Sequence, residues 1–277
     1  MFNKEAIEEL KQDDSTNGIL EAIVEINRET YIPVAPKRAT PEAIEIQSLE
    51  QYMEFRSRFR MDFHTSSIGD FIKYCKDFTR PDAMCFVDGD SMRAKTIFDV
   101  GSVALPGHQE HLATVRLKKT AAFKNITNLD GSHLEQKKAG EFLEDWFENI
   151  QCFTKEGDTM SAKEAANALY KLTIESARQV ESTVGDFSAE ISDMQRIEAR
   201  TAGKHPSEIQ FKCEPYQGFS TYTFVIRLSI ITSEKVPYIG FRVLQREAME
   251  EEIINEFKEK IVDGLESTDI DTYIGDC

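Results

Sequence analysis

The hydrophobic positions change period several times along the chain, and each change marks an element. In "SSIGDFIKYCKDF" (66–78) Ile68, Phe71, Ile72, Cys75 and Phe78 recur at helical spacing, so one face of a helix is apolar. "SHLEQKKAGEFLEDWFENI" (132–150) has the same period. Its stripe is Leu134, Phe142, Leu143, Trp146, Phe147 and Ile150, and Ser132 with Glu135 reads as a capping box at its start. A second box, Ser161 with Glu164, opens a helix over 161–180. "REAMEEEIINEFKEKIVDGL" places Met249, Ile253, Phe257 and Ile261 on one inward face, with Gly264 expected to end it as a C-cap.

Elsewhere the period is two. "EFRSRFRMDF" (54–63) sets Phe55, Phe59, Met61 and Phe63 against Arg56, Arg58 and Arg60, which predicts a strand with one buried face. "AMCFVDGDSMRAKTIFDV" (83–100) reads as a hairpin turning at Asp88-Gly89-Asp90, where aspartate bonds the local backbone and glycine accepts positive φ. After Pro106-Gly107, Ala113, Val115 and Leu117 alternate with Thr114, Arg116 and Lys118. Residues 207–245 alternate through Tyr222, Phe224, Ile226, Leu228 and Ile230, with turns at "EPYQG" and "TSEKVP", and predict an antiparallel meander.

Residues 4–29 read as two helical pieces broken at "DDSTNG". Pro33, Pro36 and Pro41 then forbid a helix and suggest an extended crossing. The expected fold is α+β: mainly antiparallel sheets with amphipathic helices, an N-terminal helical arm and a C-terminal helix. The expected division is an arm over 1–30, a proline-rich linker over 31–44, a core over 45–264 and an acidic tail over 265–277.

A chain of 277 residues, 40% hydrophobic and 30% charged, has the composition of a globular protein with a sizeable core. Its formal charge of −16 argues against coating duplex nucleic acid, because phosphates repel such a surface. The charge suits solubility, a basic protein partner or mimicry of nucleic acid. Five well-separated cysteines, Cys75, Cys85, Cys152, Cys213 and Cys277, form no CxxC knuckle, which points to free thiols in a reducing compartment. Cys277, the last residue, is either an exposed thiol that cross-links two chains or a bystander on a polar tail. No apolar run approaches the about 20 residues a membrane span needs, so no membrane association is expected.

Candidate chemistry is sparse. In "LPGHQEHLATVRLKKT" (105–120) His108 and His111 sit three apart. Zinc takes three or four ligands. The pair supplies two, so a metal site needs a distant third such as His64 or Asp99; otherwise the histidines are structural or belong to an interface. Arg56, Arg58 and Arg60 are either an anion clamp or a solvated face paired with some of the 49 acidic residues. The aspartates of the DGD turn suit magnesium or simply the turn. Glu141, Glu144, Asp145 and Glu148 suit acid–base chemistry or simply the wet face of a helix. No P-loop, GxSxG or strand-linked GxGxxG occurs. No cofactor is expected.

The order "SIGDFIKYCKDF", "MCFVDGDSMRAKTIFDV", "PGHQEHLATVRL", "EQKKAGEFLEDWFENI", "PYQGFSTYTFVIRL" and "GFRVLQREAMEEEI" resembles the YfdQ-like family of phage and prophage proteins, a domain of unknown function. The resemblance spans roughly residues 45 to 262, leaving the N-terminal arm and "STDIDTYIGDC" outside, and the PGHxxH turn and "FLEDWF" are its more specific marks. It implies a bacteriophage accessory protein made in the cytoplasm of a bacterial host, and it carries no activity onto particular residues. The leading expectation is a non-catalytic protein that binds a host or phage protein, counter-defence included, and forms a homo-oligomer. Two alternatives stand beside it. One is an accessory to phage DNA replication or recombination that uses the three arginines and Lys118, Lys119 and Lys124. The other is a metal-dependent hydrolase built on His108 and His111. A self-assembling structural protein is a further possibility.

Overall fold

Extended pairing begins inside the proline-rich segment. Strands β1 (Tyr31–Val34) and β2 (Glu45–Ser48) form an antiparallel ribbon, with Pro33 across from Ile46. A two-stranded ribbon has two edges, and an edge accommodates a residue without an N–H. The structure is a computed structural model that describes residues 31–34, 45–48, 54–56, 58–172, 205–232 and 237–277. The helices expected within 4–29, and the part of the 161–180 helix beyond Leu172, lie outside the described residues. The chain divides into two compact units, Met1–Asp62 and Phe63–Cys277.

After β3 (Met61–Thr65) and α1 (Ile68–Asp77) come the hairpin β4 (Met84–Asp88) and β5 (Arg93–Ile97), then β6 (His111–Arg116) and α2 (Ala121–Leu129). Next are β7 (His133–Glu135), α3 (Gln136–Asp145), β8 (Ile150–Thr154), β9 (Thr159–Met160) and α4 (Ala162–Tyr170). The chain closes with β10 (Pro206–Cys213), β11 (Tyr222–Thr232), β12 (Pro237–Val243), α5 (Arg246–Leu265) and β13 (Asp271–Ile274). The expected meander is the centre of a six-stranded sheet ordered β7-β12-β11-β10-β8-β9, antiparallel throughout. A five-stranded sheet runs β13-β4-β5-β6-β3, with β13 parallel to β4. The fold is α+β with mostly antiparallel sheets, as the pattern predicts.

The alternation of the meander buries Phe224, Ile226 and Leu228, and that of β6 buries Ala113, Val115 and Leu117. α1 packs on β6 and on α5, and α3 packs on α4. The core runs continuously from Phe71, Cys85 and Val115 to Phe211, Ile226 and Phe257. α1 is capped by Ser67, whose hydroxyl accepts the Asp70 N–H at 3.2 Å, and α4 carries the expected reciprocal Ser161–Glu164 box. No helix among the described residues is long and apolar enough to cross a membrane.

Four local expectations change. Regular strand begins only at Met61, so the alternation before it has no ladder to define two faces; Phe55, Phe59 and Met61 are 76%, 53% and 46% exposed. The helix expected from Ser132 starts at Gln136, because Leu134 pairs with Ile239 across the sheet. The Ser132 hydroxyl instead donates to the Leu129 carbonyl at 2.6 Å, and Glu135 makes no side-chain cap. Gly264 lies inside α5, where a Cβ would come within 2.3 Å of Ile72 Cδ1. Finally, the acidic C-terminal segment contains a sheet strand, β13, which α5 delivers alongside β4.

Candidate functional site

The connection between β5 and β6, residues 98–110, holds His108, leads into His111 at the start of β6 and is organised by Asp99. Its carboxylate accepts the Glu110 N–H at 3.0 Å and the His111 N–H at 3.1 Å, and its carbonyl accepts the Gln109 N–H at 3.3 Å. The Gly107 N–H donates to the Val100 carbonyl at 2.7 Å, and Gly101 bridges Pro106. Ser102 and Leu105 close the tip by exchanging backbone hydrogen bonds at 2.9 and 3.1 Å. Two glycines make this closure possible. Gly101 sits at φ +73°, and a Cβ on Gly107 would lie 1.9 Å from the Asp99 carbonyl oxygen. The result is a small hairpin whose tip, "SVAL", leaves Val103 fully exposed and Leu105 79% exposed.

His111 is the footing of this hairpin. It is buried, its ring stacks on Phe98 with centroids 4.3 Å apart, and Phe78 meets it edge-on at 5.2 Å. Tyr74 Oη lies 2.9 Å from His111 Nε2, and Tyr74 stacks on Phe63 at 4.5 Å. Burial lowers the His111 pKa; Asp99 opposes that shift and Arg80 adds to it. A neutral ring with Nε2 engaged by a phenol is a packing group, and its partner in sequence does not share the site: His108 is exposed on the outgoing limb. The Asp99 carboxylate, one suggested third ligand, is occupied by backbone N–H groups, and His64 is exposed on β3. Among the described residues, no three His, Cys, Asp or Glu side chains group as a metal site requires.

The other sequence candidates lie elsewhere along the chain. Arg56 is exposed and Arg58 and Arg60 are half-buried in the first unit, before regular strand begins. Lys118, Lys119 and Lys124 are exposed in the second unit, and the Lys119 ammonium lies 5.0 Å from the Phe123 ring centroid. The DGD turn uses Asp88 locally: its carboxylate accepts the Asp90 and Ser91 N–H groups at 3.1 and 3.3 Å, while Gly89 lies against Ile254 and Lys258 of α5. The carboxylates of α3 are exposed. Four cysteines are buried and free, with Cys85, Cys152 and Cys213 pushed by burial up to about 12, so they are protonated, inert thiols at neutral pH; Cys277 is exposed.

Sequence reading misses one polar cluster. Glu256 of α5 accepts the Ser220 N–H at 2.8 Å, the Tyr222 hydroxyl at 2.8 Å and the Ser220 hydroxyl at 3.2 Å, with Lys260 at 3.4 Å. Burial alone would raise the Glu256 pKa, but these donors outweigh it and hold the carboxyl below its ordinary value. Oε1 takes Ser220 and Lys260 and Oε2 takes the Tyr222 hydroxyl, so the cluster fastens the helix to the start of β11. The nearest sequence signal is "STY", two hydroxyls at strand spacing, and nothing local pairs it with a residue 34 positions on.

With this geometry in place, the comparison with known proteins is informative at one level. Residues 8–277 match the model of a family described as "Uncharacterized conserved protein (DUF2303)". The chain belongs to that family. The match takes in the N-terminal segment from residue 8 onward and "STDIDTYIGDC" at the other end. No match is found among curated proteins or solved structures.

Proposed function

We propose that this DUF2303 protein is a non-catalytic phage accessory protein, working in the cytoplasm of a bacterial host by binding a protein partner and modulating a host complex, defence complexes included. The observation that carries this reading is the β5–β6 loop. Val103 and Leu105 stand exposed on a backbone closed by hydrogen bonds and two glycines. A backbone already closed before association has less ordering entropy to lose, and exposed apolar side chains on it suit a protein contact. The phage origin rests on the resemblance of the motif order to the YfdQ-like proteins. The catalytic alternative is weakened by the engagement of His111 with Tyr74 and of Asp99 with backbone N–H groups.

The test compares an affinity-tagged chain with its Val103→Ser/Leu105→Ser variant in bacteria carrying the cognate phage. Proteins recovered with the parent should be depleted with the variant, whose melting temperature should be unchanged because both side chains are exposed. Identical recovery from both would remove the loop from the function.

A further inference from the structure

The C-terminal end of α3 carries charge of the wrong sign for a helix. Glu144 and Asp145 occupy its last turn and Glu148 follows, with no basic residue in that turn. Helix C-termini favour cations, so carboxylates there oppose the backbone field. The local charge is strong enough to act on Tyr170, whose pKa is raised first by burial and then by Glu144, with Glu141 and Asp145 adding to it. Beside these carboxylates opens a pocket of about 500 Å³ lined by Phe147, Ile150, Ala162, Glu144, Ser161 and Lys163. Phe147 at its mouth is 61% exposed, although Leu143, one helical turn earlier, is fully buried. Glu144 accepts the Tyr170 hydroxyl at 3.3 Å and so ties α3 to α4, whereas Phe147 leaves most of its ring in water.

We propose that this pocket docks a basic amphipathic segment of another protein: one large apolar side chain enters beside Phe147, and flanking lysines or arginines meet Glu141, Glu144, Asp145 and Glu148. The proposal rests on the protein-binding reading above and names a second surface with its partner chemistry. Charge complementarity selects the occupant. Glu144 lines the pocket beside Lys163, and Glu141 and Asp145 act with it on Tyr170, so three carboxylates gather at this helix end and Glu148 follows in the chain; Lys163 and Lys137, the latter 3.8 Å from Glu141, only partly offset them. A second copy of this chain, at −16, is electrostatically a poor fit. A basic segment relieves repulsion that the free protein maintains at the helix end, where stability has been given up for binding.

The experiment measures fluorescence polarisation of a short helix-forming peptide of leucine and lysine, with the same peptide bearing glutamate for lysine as control. The lysine peptide should bind, weaken as salt rises, and lose about tenfold or more in affinity with Phe147→Ser. Asp145→Lys/Glu148→Lys should weaken it similarly while melting no lower than the parent, since the new charges suit the helix end. Equal binding of the glutamate peptide, no binding of the lysine peptide, or unchanged affinity in Phe147→Ser overturns the proposal. If Val103→Ser/Leu105→Ser abolishes peptide binding and Phe147→Ser does not, the loop is the docking surface; the pocket is then refuted and the protein-binding reading survives.

Discussion

At the scale of single residues, His111 shows how a sequence pattern with metal chemistry resolves into packing. Two histidines three apart were legible; that one ring would be buried against Phe98 and Phe78 was not, because Phe98 meets it through the β5–β6 pairing and Phe78 through the packing of α1 on β6. The consequence is a pH dependence. Burial holds the His111 pKa below its unfolded value, so the folded state binds fewer protons than the unfolded chain when pH falls. The stabilisation is fully present above the unfolded pKa of about 6.5 and is lost as pH drops toward the folded value. His205 is shifted the same way by burial. The melting temperature should therefore be flat above neutrality and decline in mild acid. His111→Phe, which keeps an aromatic ring in the site, should show a shallower decline, with the His205 part remaining. A decline as steep as the parent's would show that His111 does not set it. His111→Ala should cost about 2–4 kcal/mol in urea melts at neutral pH, combining a cavity with an unpaired Tyr74 hydroxyl.

At the scale of elements, the sequence reads well where period and burial coincide and poorly where tertiary pairing overrides them. The alternation in 207–245 and the hairpin around Asp88 fold as their patterns predict, since one face of each strand is buried. "SHLE" carries a capping box yet becomes β7, because an open edge of β12 pairs with Leu134. "DTYI" has too few apolar residues to read as a strand, and its partner β4 lies far back in sequence. Of the candidate site, Pro106-Gly107 was legible as a turn, whereas the rigid tip depends on Asp99 and Gly101 acting together.

Gly264 belongs to the same lesson, since a glycine near a helix end reads as a cap until a neighbouring helix is seen to need its surface. Gly264→Ala should destabilise although alanine favours helix by about 1 kcal/mol, because the new methyl meets Ile72. With Ile72→Ala already present, the same substitution should become stabilising by several tenths of a kcal/mol or more. Equal effects in both backgrounds would rule out the contact. The Glu256 clamp makes a parallel case. Glu256→Gln should cost about 1–2 kcal/mol, from weakened hydrogen bonds to Ser220 and Tyr222 rather than from its Lys260 pair, which is half-exposed and worth little. A double-mutant cycle with Tyr222→Phe should return a coupling of at least about 0.5 kcal/mol; additivity would mean the hydroxyl is not bound to this carboxylate in solution.

At the scale of the whole molecule, a charge of −16 and several exposed apolar side chains pull self-association in opposite directions. Val103, Leu105, Phe147 and Ile274 are exposed on the second unit, and Phe55 and Phe59 on the first. Each is a local contact, and a stable interface needs about 1,200 Å² or more of total buried surface, so association requires several of them to be covered together. Coulomb repulsion between copies weakens as the Debye length falls to about 10 Å at 0.1 M salt, whereas apolar burial does not weaken with salt. The protein should therefore form a homo-oligomer whose population grows from low to moderate salt, the opposite of the response expected for the leucine–lysine peptide. Light scattering on dilute protein decides between the outcomes. A mass well above 31.6 kDa that rises with salt is expected, and replacing Phe55 and Phe59, or Val103 and Leu105, with serine should identify which unit supplies the contact. A mass fixed at 31.6 kDa at both salt levels would make the chain a monomer and leave its exposed apolar groups to other proteins.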